Sequence, residues 1–363
     1  MSEIGMLRRL RPRAIVANCC CKSANRRNGM KILLGFIVSM VIVIAVDCSA
    51  QKLPYQYIRL GAAQDVAPKA AFGVALMGGG SDQDEAFRWL CGKGSGGDFL
   101  ILRARGDDSY NPYIKELCHV NSVATLIIPN RAAAQEPAVA EIIRTAEVIF
   151  IAGGDQANYT RNWKDTPVDQ AMNAHIAAGK PIGGTSAGLA VLGEYVYSAE
   201  GDKPDDADLR SSQVLMNPFD PRVALRRDFL RMDLLQNTIT DSHFAKRDRM
   251  GRSLGFLARI VSDGWSSRPR EIAIDEKSVV LVEASGQARV VGSGKGAYFL
   301  SVEKTPEVCR RATPLTFRDI SVYHAPAGSE FDLKQWRGTG GNAYSLSVVA
   351  GSIQSTQPNQ QIY

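Results

Sequence analysis

Residues 181–194 read PIGGTSAGLAVLGE. A short apolar lead runs into two glycines, a serine follows, and an apolar, helix-compatible AGLAVLG comes after it. Gly184-Thr185-Ser186-Ala187-Gly188 matches G-x-S-x-G, in which flanking glycines permit the strained strand-to-helix turn that lifts a serine oxygen out of a sheet. With 33 glycines in 363 residues the five-letter pattern alone is weak, and the strand before it and helix after it give it meaning. The reading is therefore an elbow carrying Ser186 as nucleophile, set against a merely structural glycine turn.

Upstream, the runs FGVALM (residues 72–77), DFLILRA (98–104), SVATLII (122–128) and EVIFIAGG (147–154) are short, continuous and rich in Val, Ile and Leu. Such runs suit strands buried on both faces of a parallel sheet. Helical patterns separate them at 82–90 and 136–146, and a third helix starts at Thr166-Pro167 and stops at Gly179. The expected fold class is α/β, a mainly parallel sheet flanked by helices, with a β-rich C-terminal extension. In open sheets of this kind ligands bind beyond the carboxyl ends of the strands. The segments expected there are polar or glycine-rich: 78–82 (GGGSD), 105–113, 153–159, 184–188 and 241–244.

The chain divides by composition into a leader with signal peptide (1–50), a linker (51–70), a catalytic α/β domain with C-terminal strands (71–335) and a polar tail (336–363) whose end is expected to be mobile. Residues 1–50 hold eight Lys or Arg against two acids; setting them aside brings the 43 basic and 37 acidic residues to 35 of each. The formal charge of +6 therefore belongs to the leader, and a nucleic-acid partner loses its main support. Lys31 precedes fifteen apolar or small residues and then DCSAQ, a secretory signal pattern that predicts export, with Met30 rather than Met1 as a plausible start. The alternative is a retained membrane anchor, although the run is shorter than a spanning helix needs. Cys19, Cys20, Cys21 and Cys48 lie in the leader. Cys91, Cys118 and Cys309 form no C-x-x-C pair and read as buried thiols rather than a zinc site or a disulfide framework, with export allowing one bridge. Segment 292–296 (GSGKG) reads as a hairpin between strands, and 199–208 (AEGDKPDDAD) as an acidic surface loop.

A serine nucleophile needs a base, and the chain has four histidines. His175 falls inside a helix, His119 at the amino end of a strand, and His324 in the C-terminal β region. His243 ends NTITDSHF on the expected catalytic edge and is the best base. Asp241 and Glu276 are both candidates for the acid that orients it, and spacing does not choose between them. Ala187 and a glycine of Gly153-Gly154, with Gly154 preferred, are natural oxyanion donors. Arg247, Arg249 and Arg252, three arginines within six residues, can grip carboxylates, or else form a solvated helix face.

Segments GGDQ (153–156), GTSAG (184–188), DSHFAKRDRMGR (241–252) and AIDE (273–276) together resemble cyanophycinase and its relatives, serine peptidases on a class I glutamine-amidotransferase-like (flavodoxin-like) fold that include aspartyl dipeptidase. The resemblance spans residues 72–333. It implies Ser186 as nucleophile, His243 as base and Glu276 as third member, with Gln156, Asp241, Arg247, Arg249 and Arg252 contacting substrate and no metal or cofactor. It further implies a peptide or cyanophycin-like polymer of β-aspartyl-arginine units as partner, and homodimers, which occur among the relatives. The alternatives are a dipeptidase for small aspartyl or isoaspartyl peptides and a non-catalytic protein that captures acidic peptides. The long leader, the acidic insert and the material after Leu333 depart from simpler relatives.

Overall fold

A computed structural model describes residues 53–203 and 206–363. The leader, with its signal-peptide and anchor readings, lies outside the described residues. Among those described, no helix is long and apolar enough to cross a membrane.

Six strands alternate with helices: β1 (Gln56–Gly61), β2 (Gly73–Met77), α1 (Asp84–Lys93), β3 (Asp98–Arg103), α2 (Tyr110–Leu117), β4 (Ser122–Ile127), α3 (Arg131–Ala134), α4 (Pro137–Thr145), β5 (Val148–Ile151), α5 (Gln156–Trp163), α6 (Pro167–Ala177) and β6 (Ile182–Thr185). Strands β2 to β6 pair in parallel in the order β4-β3-β5-β6-β2. Their alternate side chains enter two cores. Val74, Leu100, Leu102 and Ile149 face α4 to α6, and Ala75, Phe99, Ile101 and Val148 face α1 and α2. Burial on both faces is why these segments read as unbroken apolar runs.

The elbow helix α7 (Ala187–Ala190) opens the second half, followed by β7 (Tyr195–Tyr197), α8 (Ser211–Met216), β8 (Leu225–Arg227), β9 (Thr238–Asp241) and α9 (Met250–Ser262). Nine strands complete the chain: β10 (Arg270–Ile274), β11 (Ser278–Glu283), β12 (Gln287–Gly292), β13 (Ala297–Ser301), β14 (Phe317–Ala325), β15 (Glu330–Asp332), β16 (Arg337–Thr339), β17 (Asn342–Val349) and β18 (Ser352–Ser355). They do not all extend the first sheet. β11, β12, β15 and β16 continue it antiparallel beyond β2, while β10, β13, β14, β17 and β18 join β7, β8 and β9 in a second sheet of eight strands. Val280, Val282 and Phe331 of the first sheet share one core with Ile272, Ile274 and Phe299 of the second, and α8 and α9 cover the second sheet's other face.

Four expectations change here. Residues 51–70 contain a strand, β1, which pairs antiparallel with β4 as an edge of the first sheet. Segment 292–296 is not a hairpin, because β12 and β13 belong to different sheets and the glycines carry the chain across. The tail is ordered: Tyr344, Leu346 and Val348 of β17 are buried, and the Tyr363 hydroxyl accepts from Met250 N at 2.8 Å and donates to Asp248 Oδ1 at 3.0 Å. Cys91 and Cys118 form a disulfide rather than two free thiols, tying α1 to the end of α2, while Cys309 stays free.

Candidate active site

Five strand ends converge on one point. The segments after β2, β5 and β6 in the first sheet meet those after β9 and β10 in the second. Ser186 follows β6 with φ 52° and ψ −115°, a left-handed conformation that costs a non-glycine residue of order 1–3 kcal/mol. Its amide donates to Met77 O at 3.2 Å, which fixes the turn to the neighbouring strand. Both flanking glycines are required by close backbone approach. A Cβ on Gly184 would lie 2.5 Å from Gly188 O, and one on Gly188 would lie 2.0 Å from Ile151 O. The turn at Ser186 is thus an elbow and not a plain glycine turn.

Ser186 Oγ is 2.7 Å from His243 Nε2, and His243 Nδ1 is 2.7 Å from Glu276 Oε1. His243 also has a positive φ, 48°, and its amide donates to Gly78 O at 2.8 Å. The imidazole lies against Gly79, where an added Cβ would be 2.5 Å from Cε1, and Glu276 packs on Gly80. The GGG run after β2 therefore provides the room in which the histidine and its acid sit, a role that the sequence placed only on the rim. Of the two candidate acids, Asp241 and Glu276, it is Glu276 whose carboxylate contacts His243.

Electrostatics supports the same assignment of roles. Burial lowers the pKa of His243, with Arg247 and Arg249 acting in the same direction and the Glu276 hydrogen bond opposing them. The result is a neutral imidazole able to accept a proton. The bond from His243 holds the Glu276 carboxyl below its usual range. Ala187 begins α7, so its amide has no acceptor within the helix. A Cβ on Gly153 would be 3.4 Å from Ser186 Cβ, so Gly153 and Ala187 border the serine, and Gly154 follows with φ 150° against the Tyr159 hydroxyl.

The remaining site residues line one chamber of about 200 Å³ with Gly154, Gln156, Asp208, Asp241, Arg247 and Arg249 on its walls. It adjoins a larger cavity of about 490 Å³ that shares Gly154, Asp155, Ala199 and Asp202. Gln156 starts α5 and donates to Tyr197 O at 3.4 Å. Asp241 and Arg252 are buried and bound to each other: Arg252 Nε donates to Oδ2 at 2.8 Å and Nη2 to Oδ1 at 2.5 Å. Their polar groups are thus committed to each other, so direct contact with a ligand falls mainly to Arg247 and Arg249. Arg249 adds a 3.3 Å contact to Asp241 Oδ1. Burial would raise the Asp241 pKa, but Arg252 and Arg249 outweigh it and hold the carboxyl ionised. The other histidines lie elsewhere: His175 is buried against Pro181 O at 2.9 Å, and His324 stacks on Tyr298. Sequence reasoning missed Asp208, since nothing local distinguishes it from the other acids of its loop. Among the described residues, no group of three His, Cys, Asp or Glu side chains is arranged to hold a metal.

Fold and site together define an α/β protein with a serine–histidine–glutamate chain at an elbow between two sheets. The model of peptidase family S51 matches residues 109–243. The chain is 31% identical to the cyanophycinase of Synechococcus elongatus over 178 residues, 48% of this chain and 48% of that protein. It is 27% identical to the cyanophycinase of Trichormus variabilis over 220 residues, 59% of this chain and 66% of the other. The chain thus spans about half the length of the first of these relatives. A crystal structure of a peptidase from an acI-B1 Actinobacterium aligns with 61% of this chain and 88% of its own at 20% identity and a TM-score of 0.42.

Proposed function

We propose that the protein is a serine peptidase that opens an aspartyl peptide or isopeptide bond beside a carboxylate, with a cyanophycin-like polymer of β-aspartyl-arginine units as substrate. The observation that carries this reading is the unbroken contact from Ser186 through His243 to Glu276, at 2.7 Å each. Ser186 Oγ attacks the carbonyl carbon and its proton passes to His243 Nε2. Glu276 stabilises the imidazolium, and the oxyanion rests on Ala187 N–H together with the glycine amides of residues 153–154. His243 then gives its proton to the leaving amine, and an ester joins Ser186 to the acyl half. Water deprotonated by the same imidazole cleaves that ester and regenerates the serine. Arg247 and Arg249 hold the neighbouring carboxylate through charge-assisted bonds.

A second reading, a dipeptidase for small aspartyl or isoaspartyl peptides, draws on the size of the chamber. About 200 Å³ suits a chain end or a dipeptide better than an internal segment. Export belongs to the same proposal. The leader pattern supports it, and so does the Cys91–Cys118 disulfide, since such bonds persist mainly in oxidising compartments.

The test is product release from purified cyanophycin and from isoaspartyl dipeptides, with Ser186→Ala beside the unaltered protein. Release from the polymer, absent in the variant, is the expected result. Cleavage of dipeptides alone would retain the mechanism and replace the substrate. Cleavage of neither would overturn the reading in favour of a non-catalytic acidic-peptide binder.

A further inference from the structure

The acidic insert ends at Asp208, and that residue reaches into the chamber. Its Oδ2 accepts from Arg247 Nη1 at 3.1 Å and from Arg249 Nη2 at 2.8 Å. The charges behind it explain why. Arg249 and Arg252 are buried with Asp241 as their shared partner. Glu271 is fully buried on β10 and bonded to Ser253 rather than to either arginine, and burial raises its pKa. Two guanidinium charges therefore face one buried carboxylate, and Asp208 supplies the second negative charge from outside. Burial would raise the Asp208 pKa, but Arg249 draws it down to about 2, so the carboxylate stays ionised at any working pH.

The contact is not closed off. The Asp208 side chain is 53% exposed and that of Arg247 43%, whereas Arg249 is 8% exposed. Among the described residues Arg249 Nε is buried with no partner, so this guanidinium has a donor in reserve beyond those that Asp208 and Asp241 use. A carboxylate arriving from solvent would meet the donors that Asp208 now holds.

We infer that Asp208 is an internal stand-in for the carboxylate of the substrate, and that acidic ligands enter the chamber by displacing it from Arg247 and Arg249. This inference rests on the reading of the arginines as a substrate-carboxylate site. Asp208 then determines specificity. A tethered competitor of this kind acts at an effective concentration of order millimolar. It suppresses binding of weak, singly charged carboxylates and leaves the chamber to ligands with enough further contacts to win the exchange.

Calorimetric titration of N-acetyl-aspartate into the full-length Ser186→Ala protein, with and without Asp208→Asn, tests this. The expected result is a Kd about 5- to 20-fold lower in the Asp208→Asn protein, with binding of N-acetyl-asparagine unaltered. Equal or weaker binding of N-acetyl-aspartate, or no binding by either protein, would overturn the inference and make Asp208 a fixed support of the arginines. Should the variant fail to fold, hydrogen exchange on the unaltered protein decides. Amides over residues 206–210 exchange faster with saturating N-acetyl-aspartate if Asp208 is displaced, and unchanged exchange contradicts displacement. Neither measurement depends on hydrolysis, so failure of the peptidase assay and failure of this inference are separate results.

Discussion

Asp241 lies two residues before His243 in the chain, yet its carboxylate belongs to Arg252, which grips both oxygens at 2.8 and 2.5 Å. The reason is that β9 ends at Asp241, which turns toward α9, while His243 lies beyond the strand with φ 48° and turns to Ser186 and Glu276. Replacing Asp241 by Asn leaves Arg249 and Arg252 buried with too little negative charge. Removing one partner of a buried pair typically costs about 3–5 kcal/mol. Denaturant unfolding of Asp241→Asn should show a loss of that size, and an unchanged midpoint would contradict a supporting role.

The pH profile separates the groups around the base. In the proposed mechanism activity needs neutral His243, so it should fall as pH drops through the imidazole pKa, which burial sets below the ordinary value of about 6.5. The Glu276 bond raises that pKa and the Arg247 charge lowers it. Glu276→Gln should therefore move the acid limb of kcat/KM to lower pH with a kcat loss of order 10²- to 10⁴-fold, by analogy with other triads. Arg247→Ala should move the limb to higher pH. Shifts of the same sign in the two variants would contradict this electrostatic picture.

At the elbow, Gly188→Ala places a methyl 2.0 Å from Ile151 O, which forces α7 away from β5. Overpacking of this kind costs about 1–3 kcal/mol or more, and the shift would carry the Ala187 amide from its position beside the serine. We expect kcat to fall by more than KM rises. Full activity in Gly188→Ala would mean that the turn tolerates a shape different from the one described.

Cys91 and Cys118 close a loop with a sequence separation of 27 residues. Chain-entropy reasoning gives about 3.5 kcal/mol for a loop of that length. Reduction, or the Cys91→Ala/Cys118→Ala pair, should lower stability by about 2–4 kcal/mol while sparing the pH profile, because the bridge sits on the α1–α2 side of the first sheet. Equal thermal stability with and without reductant would indicate that the bridge does not form.

Much of this was legible in local sequence. The parallel strands announced themselves as continuous apolar runs, and the elbow as glycines pressed around Ser186. His243 could be found by elimination because only four histidines exist. What stayed hidden depends on contacts between distant segments. Whether a C-terminal strand joins the first sheet or the second is decided by pairing across tens of residues, so the glycines of 292–296 looked like a hairpin. The choice between Asp241 and Glu276 rests on side-chain direction rather than spacing. Asp208 gave no local sign of its partners 39 and 41 residues away. The order of the tail is hidden for a different reason. Its polar composition masked the period-two pattern of Tyr344, Leu346 and Val348, which face the core of the second sheet.

The most direct measurement is intact-mass and peptide mapping of the protein after reaction with a fluorophosphonate, beside Ser186→Ala and His243→Ala. A single adduct on Ser186, absent from Ser186→Ala and formed at least 10³-fold more slowly in His243→Ala, is the predicted result. Labelling of another serine, or equal rates with and without His243, would show that the contact from Ser186 to His243 does not activate the hydroxyl.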